Sequence, residues 1–287
     1  MANNISNNNS TDDKASYTHN SPNPNNNAPF GHQLVSPPTI QLTNEQYERM
    51  FFQPGGPNRK HDLSAQFGNP TPLAVISFLM CISPTSCFLL GFDLTTGTSP
   101  VALIGVYYLF GGLGLFISGI LEWILGNTFP FVVFCCFGGF WFNFGVLNDP
   151  AHMILGAFAN GGNSADFNEG LTFYWIFWSV LVSFFFVGSL RTNACFAWIF
   201  ANLFFNFAFL AAAYDKLGHG NTDMGNTYLK VAGAFGLSTA AVAWYLAFGL
   251  LMSAVKMPFT VPFGDLTMLL ASQQEKEAIL AAKNRSR

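Results

Sequence analysis

Between residues 73 and 255 the chain is laid out as six apolar runs, at Leu73–Phe92, Val101–Leu125, Thr128–Leu147, Leu171–Leu190, Asn193–Tyr214 and Tyr228–Val255. Each is close to the roughly 20 residues that an α-helix needs to cross a bilayer. Backbone N–H and C=O groups find no water in hydrocarbon, so only helices or a closed barrel satisfy them there. None of the runs shows the period-two alternation of a barrel wall. The sequence therefore predicts an all-α membrane protein with six transmembrane helices. Composition agrees, because only 9% of residues are charged where a soluble domain carries about 25%.

The first run is introduced by Asn69-Pro70-Thr71-Pro72-Leu73. Two prolines this close would damage a helix interior, but in a first turn the missing N–H groups have no helical partner to lose. Asn69 is a good cap ahead of them. The stretch thus predicts a helix start, with the partly positive end of its dipole beside Asn69. Pro84, inside the same run, predicts a kink.

Charge sets the orientation. Ten of the twelve Lys and Arg lie in the amino-terminal tail, at Arg191, or from Lys256 onward; only Lys216 and Lys230 lie on the other side, with Asp93, Asp149, Asp166, Glu169, Asp215 and Asp223. The positive-inside rule then places both termini in the cytoplasm, as an even number of spans requires. Three segments follow from this reading. Residues 1–67 are an Asn-rich cytosolic tail, expected to be disordered, within which Gln41–Phe52 has scattered apolar residues suited to a membrane surface. Residues 68–256 are the six-helix transmembrane domain, and 257–287 are a cytosolic tail with some helix.

Soluble-enzyme chemistry has no support: there is no paired-Cys motif, no zinc-protease motif and no phosphate loop. No cofactor or metal is expected. Cys81, Cys87, Cys135, Cys136 and Cys195 all sit in apolar runs and read as small buried hydrophobes. His152 and His219 stand in connectors, neither with a second ligand at metal spacing. The net charge of −3, without a basic patch, argues against a nucleic-acid partner.

Polar residues within the spans are the candidates for chemistry. Asn202 and Asn206 lie one helical turn apart, with Leu203 on a neighbouring stripe. Asn143 is in the third run; Ser77, Ser83 and Thr85 are in the first. Two readings of the amides stay open: they line a polar path, or they bond neighbouring helices. Glu122 is the one carboxylate well inside a span. It reads either as a proton-coupling group or as a structural partner beside Trp123. No Lys or Arg sits in mid-span, where each would cost about 2.5–3.5 kcal/mol. An anion would meet only amides, hydroxyls and helix N-termini, and weak binding of that kind suits fast passage. Stripes of small residues, Ala232, Gly236 and Ala240 in the last run and Gly111, Gly112, Gly114, Ser118 and Gly119 in the second, permit close helix contact, within the chain or between copies.

Four blocks in order resemble one known family. Asn69-Pro70-Thr71-Pro72-Leu73-Ala74-Val75-Ile76-Ser77-Phe78 resembles the Asn-Pro-small-Pro-Leu-Gly-Leu signature of the acetate uptake transporters, also called succinate–acetate permeases. Leu121-Glu122-Trp123 with Gly126-Asn127-Thr128-Phe129, Phe137-Gly138-Gly139-Phe140-Trp141 and Ala243-Trp244-Tyr245 are similar to its later blocks. The resemblance spans Gly68 to Val255. It implies a six-helix protomer in a homohexameric ring and a pore in each protomer for acetate and similar small carboxylate anions; proton-linked symport and channel-like flow both stay open. Its Asn-rich tail is similar to those of fungal members, which implies the plasma membrane. The family's central gate of Phe, Tyr and Leu implies Phe78, Phe137 and Leu203 here, with Phe137 departing from the usual Tyr; Thr71 and Ala74 depart from the signature as well. Two further functions are compatible with the same fold: a non-transporting sensor, motivated by the absent Tyr, and an ammonia exporter. Asn69-Pro70-Thr71 is also similar to the aquaporin box, but the second box and the pore arginine of that fold are missing.

Overall fold

The computed structural model describes residues 67–266 together with 273, 276 and 277, all within one compact unit spanning Gln41–Arg287. The Asn-rich tail and Gln41–Phe52 lie outside the described residues. Six helices are long and apolar enough to cross a membrane: α1 (Thr71–Leu90), α2 (Ser99–Leu125), α3 (Thr128–Asn148), α4 (Ala165–Ser189), α5 (Ala194–Gly218) and α6 (Thr222–Ala254). The protein is an all-helical membrane protein with six transmembrane helices. α4 packs on α5, α5 on α6, α6 on α1, and α2 on α3. Consecutive spans run in opposite directions, so α1, α3 and α5 begin at one face of the bundle, called proximal below, and end at the other, called distal.

The helix starts show why the chain folds this way. Asn69 Oδ1 accepts the Thr71 backbone N–H at 2.9 Å, while Pro70 occupies the cap position itself. The asparagine therefore caps α1 from one residue earlier than the usual geometry. α1 runs unbroken through Pro84 and ends on Gly91, whose left-handed backbone (φ +71°) suits a residue without a Cβ. Asn193 and Asn221 cap α5 and α6 by accepting the N–H groups of Phe196 and Met224.

α2 is the irregular span. It opens as a short 3₁₀ turn (Ser99–Leu103) and continues as a π-helical stretch, Tyr107–Gly114, before returning to α-helix at Leu115. The wider π turn brings Gly111 so close that a Cβ would stand 2.6 Å from the Cβ of Trp141 and 2.7 Å from Cys81 Sγ. A larger residue there would push α2 away from α1 and α3. On α6, Gly236 meets the Ser86 hydroxyl and the Asn206 amide in the same manner. Both small-residue stripes thus serve packing inside the chain.

Behind α6 the chain turns back. Residues 255–266 form an irregular strap across the proximal face. There the Leu266 N–H donates to the Thr192 carbonyl at 3.1 Å, the Ala194 N–H donates to the Gly264 carbonyl at 2.7 Å, and the Tyr245 hydroxyl donates to the Pro262 carbonyl at 2.7 Å. Phe263 packs on the bundle core and over Gly249.

Candidate functional site

Between the helices lies an apolar cavity of about 40 Å³, room for no more than a few waters. Its walls come from one stripe on each of five helices. α1 supplies Ala74, Val75 and Phe78; α3 supplies Val133, Phe134 and Phe137; α5 supplies Ile199, Phe200 and Leu203; α2 and α6 add Leu115, Ala243 and Leu246. Phe78, Phe137 and Leu203 are the most distal lining residues of their helices. They form the ceiling, with Phe78 and Phe137 meeting edge to face at a centroid distance of 5.6 Å. The structure therefore brings together the three side chains expected at a gate. Leu203 and Phe137 are almost fully buried, at 1% and 4% exposure. The hydroxyl that a Tyr would supply at 137 is absent, so no polar atom is present in this constriction.

A second, smaller cavity continues toward the proximal face. It shares Val133, Phe134, Phe196 and Phe200 with the first and adds Thr71, Phe129, Pro130 and Thr192. Thr71 and Thr192 are its first polar residues. Thr192 is also the residue whose carbonyl holds the strap.

Thr71 leads directly to Glu122. Its hydroxyl donates to Glu122 Oε1 at 2.6 Å, and the Asn127 amide donates to Glu122 Oε2 at 2.6 Å. Glu122 has no exposed surface. The carboxylate thereby ties the start of α1 to the end of α2 and to the turn before α3, where Gly126 adopts φ +91°. This geometry accounts fully for a structural role, and it places a titratable group one hydrogen bond from a cavity wall. Thr71 was not legible as its partner, because that contact joins residues 51 positions apart, and the Asn127 contact depends on the turn between α2 and α3.

The amides are placed otherwise. Asn206 donates to the Ala232 carbonyl of α6 at 2.6 Å, and Asn202 donates to Trp198 of its own helix at 2.9 Å. Asn143 stands beside the Tyr174 hydroxyl. None of the three lines either cavity. Of the first-run hydroxyls, Thr85 bonds to the Tyr107 hydroxyl at 2.9 Å and Ser83 accepts the Trp244 indole N–H at 3.1 Å. Ser77 Oγ is buried without a hydrogen-bond partner.

All five cysteines are free thiols. One histidine has more neighbours than its sequence context suggested. His219 Nδ1 lies 3.2 Å from Glu169 Oε1 and 3.5 Å from Asp215 Oδ1, and the three side chains have ligand atoms within 4.8 Å of one another. Asp215 lies one helical turn before His219 on α5, and Glu169 comes from α4. Lys216 already neutralises Asp215 at 2.8 Å. On the same face, outside α3, Asp149 accepts the Ala151 N–H at 2.9 Å. That bond holds its carboxyl below the usual range against the opposing effect of desolvation, with lesser help from the Tyr108 hydroxyl and the nearby His152.

Comparison with known proteins gives a consistent result. Residues 51–268 match the family described as the GPR1/FUN34/yaaH family. "Protein alcS" of Aspergillus fumigatus is 37% identical over 238 residues, covering 80% of this chain and 87% of that protein. "Acetate transporter protein patA" of Penicillium expansum is 30% identical, with 74% and 83% covered. "Ammonia transport outward protein 2" of Saccharomyces cerevisiae is 29% identical, with 70% and 69% covered. Among solved structures, the bacterial acetate channel SatP superposes with a TM-score of 0.53 at 26% identity, over 69% of this chain and 99% of the channel.

Proposed function

Because the chain belongs to the GPR1/FUN34/yaaH family, we propose that it carries acetate and related small monocarboxylates, with succinate as a further substrate to test, across the plasma membrane through a pore within each protomer. The path runs from Thr71 and Thr192 through the two cavities to the Phe78–Phe137–Leu203 ceiling. One observation supports this reading most: two adjoining apolar cavities share four wall residues and the inner one ends on the three gate side chains, in a bundle similar to a bacterial acetate channel. A lane this narrow and dry closes by excluding water and opens by small side-chain motions. Both termini are assigned to the cytoplasm, which makes the proximal face the cytoplasmic one. By the same reading copies assemble as a homohexamer, and Glu122 is the group to test for proton coupling.

The relative named for outward ammonia transport supports a second reading, since a neutral base crosses an apolar lane as readily as a neutral acid. Purified protein in vesicles separates the two. Radiolabelled acetate uptake, measured with and without a pH gradient and compared with ammonia-driven internal alkalinisation, is expected to show saturable acetate flux. Ammonia movement without acetate flux would reverse the assignment, and neither would leave the sensor reading in place.

A further inference from the structure

Just distal to the gate the walls change character. Each cavity-lining stripe can be followed one helical turn outward: Phe78 to Ile82 on α1, Phe137 to Trp141 on α3, Leu203 to Phe207 on α5, and Ala243 back to Thr239 on the oppositely directed α6. All four residues reached are buried, at 6%, 1%, 2% and 0% exposure. α4 contributes Trp175, 2% exposed, which stacks on Phe207 with centroids 6.0 Å apart. Trp141 meets Phe78 at 6.5 Å, and Phe140 lies between the two tryptophans at 5.0 and 5.9 Å.

In this layer Trp141 Nε1, Trp175 Nε1 and Thr239 Oγ1 are all buried without a hydrogen-bond partner. They make up three of the five such side-chain atoms among the described residues. Native proteins leave few buried polar groups unpaired, because each forfeits its bonds to water. Three at one level of the bundle, next to the gate side chains, call for an occupant. Its sign follows from the donors. An indole nitrogen donates and never accepts, so the two tryptophans suit an acceptor, and the surrounding rings suit an apolar end. Other polar atoms nearby are already engaged, Tyr107 with Thr85 and Asn206 with the Ala232 carbonyl.

We infer that Trp141, Trp175 and Thr239 form a carboxylate-binding layer on the distal side of the gate, taking the two oxygens of a small monocarboxylate while its alkyl end packs on Phe140 and Phe207. The inference deepens the transport reading and rests on it for the choice of substrate. Its role is to replace the hydration that the anion loses in the apolar gate, as polar sites in channels do, with donors few enough to release it.

The test uses the full chain in lipid nanodiscs, labelled with ¹⁵N in its six tryptophans, and titrated with acetate or with neutral acetamide. Trp141→Phe and Trp175→Phe assign the two indole resonances. Trp198 and Trp244, which already donate to Ser238 and Ser83, are internal controls. The expected result is a saturable downfield shift of the Trp141 and Trp175 N–H signals with one common midpoint, and none with acetamide. In vesicle uptake, each Phe variant and Thr239→Val should raise the half-saturating acetate concentration about tenfold. Unmoved indole signals in protein that does transport acetate would overturn the layer and leave the transport reading intact. Equal shifts with acetamide would overturn recognition of charge. Shifts in protein that carries no flux would support the layer and remove the transport reading.

Discussion

Glu122 carries the clearest energetic prediction, because both its oxygens are engaged at 2.6 Å by donors from elsewhere in the chain. Glu122→Gln keeps the side-chain shape but turns one acceptor oxygen into an NH₂ group. With its oxygen turned to Asn127, the amide presents its NH₂ to the Thr71 hydroxyl, which can accept as well as donate, so both contacts persist without the charge. Replacing two charge-assisted bonds by neutral ones costs about 1.5–3 kcal/mol in all. Glu122→Ala leaves both the Thr71 hydroxyl and the Asn127 amide without acceptors in a site closed to solvent, which costs about 2–6 kcal/mol at the usual penalty per orphaned group. For a bundle of this size about 1 kcal/mol corresponds to roughly 2–4 °C in midpoint. The Gln variant should therefore lose about 3–12 °C in detergent-solubilised thermal unfolding, and the Ala variant more. Functional coupling is read separately, in vesicles at a temperature where both proteins remain folded. If Glu122 relays the proton, Glu122→Gln should keep downhill acetate flux while a pH gradient no longer accelerates it. An unchanged midpoint in Glu122→Gln would refute the idea that this carboxylate holds α1 to the α2–α3 turn. An unchanged response to the gradient would confine its role to structure.

Four further outcomes are expected. Leu203→Ala should widen the ceiling and admit larger carboxylates such as lactate, while Phe137→Tyr should change the acetate rate; identical uptake profiles at equal surface expression would remove the triad from the mechanism. Asn69→Asp keeps the oxygen that accepts the Thr71 N–H but adds charge at the proximal mouth, so it should assemble normally and take up acetate poorly, whereas Asn69→Ala should lose about 1 kcal/mol of helix-cap stability; wild-type uptake by Asn69→Asp would limit this residue to capping. Tags at both termini should be reached only from the cytosol and a tag between Asn160 and Ser164 only from outside, and labelling of a Met1 tag on intact cells would invert the orientation. Asp149, with its carboxyl held below the ordinary range chiefly by the Ala151 N–H, lends the α3–α4 connector stability that is complete above its unfolded value of about 3.9 and is lost as pH falls through the depressed folded value. Hydrogen exchange at residues 149–153 should therefore quicken below about pH 4 in the wild type, and an Asp149→Asn variant should lose that pH dependence.

Much of the fold was legible because hydrocarbon leaves the backbone so few choices. Six apolar runs became six helices, and the starts at Thr128 and Ala194 fall within one residue of expectation. The boundaries that moved share one cause. α4 begins at Ala165 and α6 at Thr222, about one and a half turns before their apolar runs, because Asp166, Asn168 and Glu169, like Asp223 and Asn226, continue the helix into water. An apolar window registers where lipid ends, whereas a helix ends where its caps lie. The π turn in α2 was not legible for a related reason: Tyr107–Gly114 is as apolar as any α-helix, and only the contact of Gly111 with Trp141 and Cys81 calls for the wider winding.

The site divides along the same physical line. Phe78, Phe137 and Leu203 come from three separate helices, and periodicity within each run says nothing about which stripes face one another. They were reached through resemblance, and the structure places them on a common ceiling. Asn202 and Asn206 attracted notice because amides are costly in lipid, yet that cost explains their bonds to backbone carbonyls and does not call for a substrate. The informative polar groups are those that the fold leaves without such bonds. A tryptophan in an apolar run reads as bulk, since its single N–H weighs little against its rings. Only when Trp141 and Trp175 are seen buried, with no acceptor near either nitrogen, does the unused donor become the signal. Burial of a polar group thus points toward function where its bonds are missing, and toward architecture where they are made, which is why Thr71, Glu122 and Asn127 read first as a latch and Trp141, Trp175 and Thr239 as a place for an anion.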